Sequence, residues 1–190
     1  MSVAELVAVV LAVAYLLLAI RQNIWCWAAA LCSSVIYLWL FFDARLYMES
    51  ALQIFYVAMA VYGWHQWKHG GDDGRGLHIV TWRFRTHALV ISGVLILSVG
   101  VGWAMTATDA VFPYLDSFTT VAAVVTTYMV ARKILENWVY WFVIDSVAIY
   151  LYIARELYLT SALFVAYLVL VIVGFRRWRR DWRAETAAEA

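Results

Sequence analysis

Proline, cysteine and charged side chains are all scarce in this sequence of 190 residues. Pro113 is the single proline, Cys26 and Cys32 are the two cysteines, and charged residues make up 14% of the chain. Soluble domains carry about 25% charged residues, and here 66% of the residues are hydrophobic. One water-soluble core could not bury that much apolar surface, so the composition indicates an integral membrane protein.

Several functional signatures are also missing. A net charge of +1 gives no basic field for a nucleic-acid partner. The cysteines lie six residues apart in one apolar segment, which suits packing better than a disulfide or a metal site. His65 and His69 lack a third metal ligand, the glycines of residues 70–76 match no phosphate-binding motif, and no catalytic triad is present. We therefore expect no cofactor, no bound metal, no ATP-driven step and no enzyme activity.

Seven apolar segments approach the length of about 20 residues that crosses a bilayer as a helix. The first is not a signal peptide, because Glu5 stands where a basic region belongs and no cleavage site follows. The predicted spans are Val3 to Ile20, Ile24 to Phe42, Ala51 to Trp67, Ala88 to Met105, Phe112 to Val130, Trp138 to Ala154 and Ser161 to Phe175.

Basic residues fall in alternate loops and at the C-terminus, so the positive-inside rule predicts an orientation. The exceptions, Arg45 and Arg155, each lie beside acidic residues. We expect an outside N-terminus, a cytoplasmic C-terminus and a solvated cytoplasmic loop from Lys68 to His87. The basic residues assigned to the cytoplasm are Arg21, Lys68, Arg75, Arg83, Arg85, Arg132, Lys133, Arg176, Arg177, Arg179, Arg180 and Arg183.

The third and seventh spans share a pattern of residues 111 positions apart. The matching residues are Tyr47, Ala51, Leu52, Tyr56, Gly63 and Trp67, followed by Tyr158, Ala162, Leu163, Tyr167, Gly174 and Trp178. Asn23 and Trp27 align with Asn137 and Trp141 at a slightly larger offset, which predicts a short gap between the two blocks. Spans one to three therefore echo spans five to seven, with the fourth as an inversion linker.

These features predict an all-α membrane protein whose seven transmembrane helices form a 3+1+3 parallel repeat of triple-helix bundles. Residues 1–182 form one transporter domain, with a first bundle at about 3–67, a linker helix at about 88–105 and a second bundle at about 112–175. Residues 183–190 are a cytoplasmic tail. Repeats of this kind place a substrate site between the halves, near the middle of the membrane.

The sixth span carries Asn137, Trp138, Trp141 and Asp145 at helical spacing, which predicts that all four share one face. A carboxylate at the depth of Asp145 costs several kcal/mol unless it is paired or hydrated. The sequence has no lysine or arginine at a comparable depth. These residues are therefore candidates for a substrate site.

A second candidate face lies on the third span. A patch of polar residues lies near the start of the fifth span. Asp116 leads that patch, followed by Ser117, Thr119 and Thr120. Together with the sixth span, these residues suit a flat, cationic, heteroaromatic ligand. The third-span residues at helical spacing are Gln53, Tyr56, Ala60, Trp64 and Trp67.

Tryptophans also anchor membrane helices at the interface, which is the competing interpretation for many of the eleven in this chain. Trp67, Trp178 and Trp182, at the ends of apolar runs, are predicted to be anchors of this kind. Trp64 fits either role equally well.

Two tryptophan motifs resemble those of the PnuC family of bacterial vitamin transporters. The first is Tyr62-Gly63-Trp64-His65-Gln66-Trp67, which is similar to the family's Trp-x-x-Trp signature. The second is Glu136-Asn137-Trp138-Val139-Tyr140-Trp141 with Asp145. The resemblance extends over nearly the whole chain, since the family has the same helix plan, which is like that of full-length SWEET proteins.

The resemblance implies facilitated diffusion, or uniport, of nicotinamide riboside across the bacterial inner membrane. A cytoplasmic kinase would drive uptake by phosphorylating the vitamin, and the transporter would be a homotrimer surrounded by membrane lipid. The site residues it implies are Trp64, Trp67, Asn137, Trp138 and Trp141, with Gln53 and Tyr56 facing them.

Asp145 leaves the identity of the substrate undecided, because some nicotinamide riboside members of the family carry asparagine at this position. The acid suits the pyridinium charge or ribose of nicotinamide riboside, but it also suits the aminopyrimidine of thiamine, and other branches move riboflavin. Two other classes of function remain: a membrane enzyme that uses Asp145 and Asp116 as acid and base, and a sensor subunit that transports nothing.

Overall fold

Seven α-helices make up the regular structure of the residues that the structure describes. The computed structural model describes residues 3–43, 45, 47–71, 76–108 and 110–188, and in these residues the one β-type contact is an isolated parallel bridge between Val80 and Ile134. The all-α prediction is therefore confirmed. The helices are α1 (Val3–Ile20), α2 (Trp25–Asp43), α3 (Tyr47–His69), α4 (Phe84–Met105), α5 (Pro113–Ala131), α6 (Asn137–Ala154) and α7 (Tyr158–Ala188).

Five of the described helices are long and apolar enough to cross a membrane: α1, α2, α4, α6 and the part of α7 that begins at Thr160. The other two predicted spans, α3 and α5, do not meet this criterion because polar residues interrupt them. Gln53, His65 and Gln66 lie within α3, and α5 carries Asp116 and several hydroxyl side chains. The prediction of seven helices is confirmed, and five of them are candidate spans.

Four helices, α1, α2, α5 and α6, end in a hydrogen-bonded turn that uses a left-handed residue other than glycine. After α1, Gln22 has φ 53° and the Asn23 amide donates to the Leu18 carbonyl at 2.9 Å. After α5, Lys133 has φ 51°, and after α6, Glu156 has φ 59°. Such turns satisfy carbonyls that the end of a helix leaves unpaired. They also reverse the chain within a few residues.

These turns recur at a constant spacing in the chain. Gln22 and Lys133 are 111 residues apart, and so are the left-handed residues Arg45 (φ 61°) and Glu156 (φ 59°). The turns after α1 and α2 are therefore separated by the same 111 residues from the turns after α5 and α6. The short gap predicted between the two blocks is wrong.

The chain divides into two compact units. The first contains Met1–His78, Ala131–Lys133 and Arg180–Ala190, and the second contains Ile79–Val130 and Ile134–Arg179. In the first unit, α2 packs against both α1 and α3.

The second unit packs α4, α5 and α6 around an apolar core of Val94, Ala122 and Ile144. The segment before α4 also belongs to this unit: Ile79 is buried, and the Val80 carbonyl accepts a hydrogen bond from the Leu135 amide at 2.8 Å. The long loop is therefore not wholly solvated, because its second half is held against the turn between α5 and α6.

Candidate functional site

A buried pair of tryptophans joins α6 to α7 in the second unit. The ring of Trp138 retains 2% of its surface and lies directly on Gly174, where even one added methyl group would collide with it. The Trp178 ring packs edge-on against it, with the centroids 5.4 Å apart and the planes at 85°. Trp138 is therefore a packed element as well as a candidate site residue.

The first unit contains the same arrangement. Trp27 on α2 lies on Gly63 of α3, and its ring centroid is 5.5 Å from that of Trp67, with the planes at 87°. Each of these residues precedes its counterpart in the second unit by 111 positions.

This match corrects the sequence alignment around the sixth span. The environment of Trp27 is that of Trp138, so the alignment of Trp27 with Trp141 is wrong. The signal that identifies the pair is the glycine four residues before each partner tryptophan, which leaves room for the facing indole.

The burial of the partner tryptophans also corrects their predicted role. Trp67 retains 6% of its surface and Trp178 none. An interfacial anchor must reach the headgroups, so the prediction that these two are anchors is wrong. Trp182, the third predicted anchor, is half-buried.

Polar atoms without partners lie beside these tryptophan pairs. The Asn137 amide nitrogen donates to the Ile134 carbonyl at 2.6 Å, but its Oδ1 accepts nothing from the described residues. The indole nitrogens of Trp138 and Trp27 are likewise buried without a hydrogen-bond partner among those residues. Leaving such a group unpaired costs about 1–3 kcal/mol, so Asn137 and Trp138 offer adjacent acceptor and donor groups to a ligand.

Trp141 lies against different neighbours from Trp138. It is half-buried and packs on the core of Val94, Ala122 and Ile144, whereas Trp138 faces α7. The predicted stripe on the sixth span therefore divides between two sides of α6.

The two candidate carboxylates differ in their environment. Asp145 on α6 retains 5% of its surface and makes no hydrogen bond or ion pair with the described residues. Asp116 on α5 instead accepts a hydrogen bond from Arg155 at 2.5 Å, and both side chains of that ion pair are partly exposed. The described residues therefore place a cation beside Asp116 but none beside Asp145.

The predicted residues on α3 have mixed surroundings in the first unit. Gln53 and Tyr56 are half-buried, and the Tyr56 ring packs edge-on against Phe55. Trp64 is half-buried and packs edge-on against Trp25, whose own surface is 62% exposed. A polar group, a phenol and an indole are thus available on this helix.

The end of α3 carries a cation over an indole. The Lys133 ammonium lies 4.9 Å from the centroid of the Trp67 ring. Burial lowers the pKa of Lys133 below its ordinary value, and the nearby Glu185 opposes that effect. Arg132 donates to the Gln66 side chain at 3.0 Å in the same place. The face of Trp67 is therefore already occupied by a positive charge, as expected for a cation-binding indole.

The described residues also include a close pair of histidines and an apolar cavity. Across the described ranges no three histidine, cysteine or acidic side chains are grouped to hold a metal ion, although the His65 and His69 rings are 5.2 Å apart. A cavity of about 200 Å³ lies among Ile91, Phe118 and Ile144 in the second unit, and its lining is wholly apolar.

Apolar helices of membrane-spanning length, with indoles and a carboxylate buried on them, define a multi-pass membrane protein. Comparison with known proteins then identifies the family. The chain belongs to the nicotinamide mononucleotide transporter family, whose model matches residues 2–180. The resemblance to PnuC proteins predicted from the tryptophan motifs is confirmed.

The chain is also similar to two named transporters. The riboflavin/roseoflavin transporter RibM of Streptomyces davaonensis is 28% identical over 187 residues, which cover 94% of this chain and 87% of the relative. The nicotinamide riboside transporter PnuC of Escherichia coli is 24% identical over 165 residues, covering 73% of this chain and 69% of the relative. Both are vitamin transporters and not enzymes, which confirms the predicted class.

A solved structure has the same fold. The crystal structure of the vitamin B3 transporter PnuC matches 95% of this chain and 82% of its own, with a TM-score of 0.74 and 19% sequence identity.

Proposed function

We propose that this protein carries nicotinamide riboside across the bacterial inner membrane by facilitated diffusion. The observation that best supports this substrate is Asp145, a buried carboxylate without a described cationic partner. The pyridinium ring of nicotinamide riboside carries a positive charge that would balance it. A buried acid of this kind is costly when unpaired, so binding a cation offsets the cost.

Riboflavin is the second candidate, because the riboflavin transporter is the relative that matches the larger share of the chain. Its ring system is uncharged, however, so it would leave Asp145 unbalanced. Thiamine has a charged thiazolium ring and an aminopyrimidine, and it remains the alternative that the sequence also supports.

In the second unit the proposed binding residues are Asn137, Trp138, Trp141 and Asp145, which supply an acceptor, a donor, an aromatic surface and a carboxyl group. In the first unit they are Gln53, Tyr56, Trp64 and Trp67.

Asp116 stands apart from these contacts because Arg155 engages its carboxylate. We propose that this pair ties the start of α5 to the end of α6, although the sequence suggested Asp116 as a binding residue. A surface pair of this kind contributes about 0–1 kcal/mol.

The mechanism proposed is uniport with metabolic trapping. The chain has no phosphate-binding motif, so a cytoplasmic kinase that phosphorylates the vitamin would supply the driving force. We also propose a homotrimer, with the N-terminus outside and the basic C-terminal end of α7 in the cytoplasm. A reporter enzyme that works only outside the membrane should be inactive when fused after Ala190, and activity there would reverse this orientation.

We further propose that α1 to α3 and α5 to α7 are repeated three-helix bundles joined by α4. The constant offset of 111 residues supports this proposal, because it relates the helix-ending turns and the tryptophan pairs alike.

A binding titration tests the substrate. The purified protein should bind nicotinamide riboside at least about tenfold more tightly than riboflavin, the scale of a charge-assisted hydrogen bond. Trp141→Ala should weaken this binding by about 1–3 kcal/mol, whereas Trp103→Ala, on an exposed face of α4, should not. Tighter binding of riboflavin by the native protein would overturn the substrate proposal.

A further inference from the structure

A groove between α6 and α7 in the second unit combines an apolar wall with two arginines at one end. Its volume is about 260 Å³, smaller than the roughly 300–1,000 Å³ of pockets that enclose drug-sized ligands. The arginines are Arg176 and Arg179. The apolar lining consists of Trp138, Val139, Phe142, Val171, Ile172 and Phe175.

The apolar part of the groove opens toward the outside of the unit. Val139, Phe142 and Ile172 keep between 40% and 49% of their surface exposed, while Val171 at the base keeps 3%. All four belong to apolar stretches of membrane-spanning helices, so the medium that reaches them is hydrocarbon. The apolar part of the groove therefore suits a flexible apolar chain.

The two arginines lie where α7 leaves its apolar stretch. They are three residues apart and therefore project from one side of the helix. The Arg179 guanidinium lies 6.0 Å from the centroid of the Phe175 ring, which holds it at the end of the groove. Neither arginine forms an ion pair with a carboxylate in the part of the chain that the structure describes. The groove thus ends in two positive charges that are available to an anion.

We propose that this groove binds an anionic glycerophospholipid. One acyl chain lies along the apolar wall, and the phosphate accepts hydrogen bonds from Arg176 and Arg179. The depth agrees with this assignment, because the end of an apolar helical stretch lies at the headgroup level of the bilayer. The planar guanidinium also matches the oxygen geometry of a phosphate.

Native mass spectrometry of the full chain in mild detergent, titrated with dioleoylphosphatidylglycerol, tests the arginines. The double variant R176Q/R179Q should raise the dissociation constant by about tenfold or more, since two basic residues at the headgroup level are lost. The control R177Q/R180Q removes the same charge at the same spacing, one residue further along the helix, where Arg180 pairs with Asp181. It should change the constant by less than about twofold. Equal losses in both pairs would show a diffuse charge effect, and no loss in either would show unspecific adhesion; each would overturn the proposal.

A second set of measurements tests the acyl chain. Ile172→Gln places an amide in the apolar wall and should weaken lipid binding, whereas Val173→Gln, on the neighbouring exposed position, should not. Phosphatidylglycerol with six-carbon chains and inorganic phosphate should both bind far more weakly than the long-chain lipid. If inorganic phosphate displaced the lipid at comparable concentration, the site would be an anion site and the lipid assignment would be wrong. Melting temperatures of all variants confirm that they are folded.

Discussion

At the residue scale, the indoles of Trp138 and Trp27 can be buried only because the residue that each one faces is a glycine without a side chain. The Trp138 ring occupies the space in front of Gly174, and Trp27 does the same at Gly63. Such contacts bring two helices within reach of each other, because only glycine lets an indole lie on the backbone. These two glycines are therefore packing requirements and not sites of flexibility.

Substituting Gly174 tests this account. Gly174→Ala should lower the free energy of unfolding by about 1–3 kcal/mol, because the new methyl group meets the Trp138 ring. Gly93→Ala and Gly100→Ala on α4 are matched controls, since a methyl group there has nothing within 4 Å. Both controls should be neutral or slightly stabilising, as alanine is the better helix former. Equal destabilisation by all three, measured by denaturant titration in detergent, would contradict the account.

The proposed choice of nicotinamide riboside rests on Asp145. Asp145→Asn should weaken the binding of nicotinamide riboside about tenfold or more, the value of a lost charge-assisted hydrogen bond of about 1.5–3 kcal/mol. Binding of the uncharged riboflavin should change much less. Asp43→Asn is the matched control, because it makes the same change at an exposed position at the end of α2.

The role of Asp145 is tested by comparing how the substitution changes the affinity for each of the two vitamins. If a well-folded Asp145→Asn variant lost affinity for both vitamins equally, Asp145 would serve packing or folding. Thiamine, which is also cationic, should follow nicotinamide riboside in this series.

Some residue environments are predictable from the sequence and others are not. The burial of Asp145 is predictable because the residue lies deep in an apolar run, and its part in substrate binding stays a prediction. The burial of Trp67 and Trp178 was missed, because a tryptophan at the end of an apolar run looks the same whether it faces lipid or a glycine of the next helix. The ion pair of Asp116 with Arg155 joins residues 39 positions apart, which no local pattern reveals.

At the element scale, the helix ends use strained residues where glycine would be the easier choice. Gln22, Lys133 and Glu156 all adopt positive φ angles. A side chain in this region costs about 1–2 kcal/mol, so the compact turn must be held by its hydrogen bonds. At Glu156 these are its own amide to Ile153 at 3.0 Å and the Leu157 amide to Tyr152 at 2.8 Å.

The turn after α6 gives a prediction with a definite sign. Glu156→Gly should raise the free energy of unfolding by about 0.5–1 kcal/mol, because glycine adopts the left-handed conformation without strain. Glu156→Ala removes the same exposed carboxylate but keeps the strain, so it should not stabilise the protein. If alanine stabilised the protein as much as glycine, the gain would come from the lost charge and not from the backbone.

The sequence predicted the helix centres well and the helix ends poorly. Apolar periodicity marks the part of a helix that is buried in lipid, so α1 and α6 were placed almost to the residue. It does not mark the hydrated ends, and for that reason α7 continues from Phe175 to Ala188 and α4 begins at Phe84. The turns themselves carry no glycine or proline, which removed the usual sequence signal.

At the scale of the whole molecule, the constant offset of 111 residues gives the clearest relation between sequence and fold. Six residue matches on the third and seventh spans were visible in the sequence, and the same offset orders the turns and the tryptophan pairs in the structure. The alignment failed between Trp27 and Trp138 because Trp141 also follows an asparagine at the same spacing. Only the packing against Gly63 and Gly174 shows that Trp27 aligns with Trp138 and not with Trp141.

The proposed mechanism requires that the protein alone cannot concentrate its substrate. Uniport moves a vitamin down its gradient, and only the chemical modification of the vitamin inside the cell makes net uptake continue. Uniport therefore determines the final level of uptake as well as its rate.

Uptake of labelled nicotinamide riboside into liposomes that contain only the purified protein tests this claim most directly. Protein-free liposomes are the control. The account predicts that the internal concentration rises to the external value and stops there, with or without a proton or sodium gradient. An entrapped kinase with ATP should carry the total label above that value. Accumulation of unmodified nicotinamide riboside above the external concentration, driven by either ion gradient, would contradict the account.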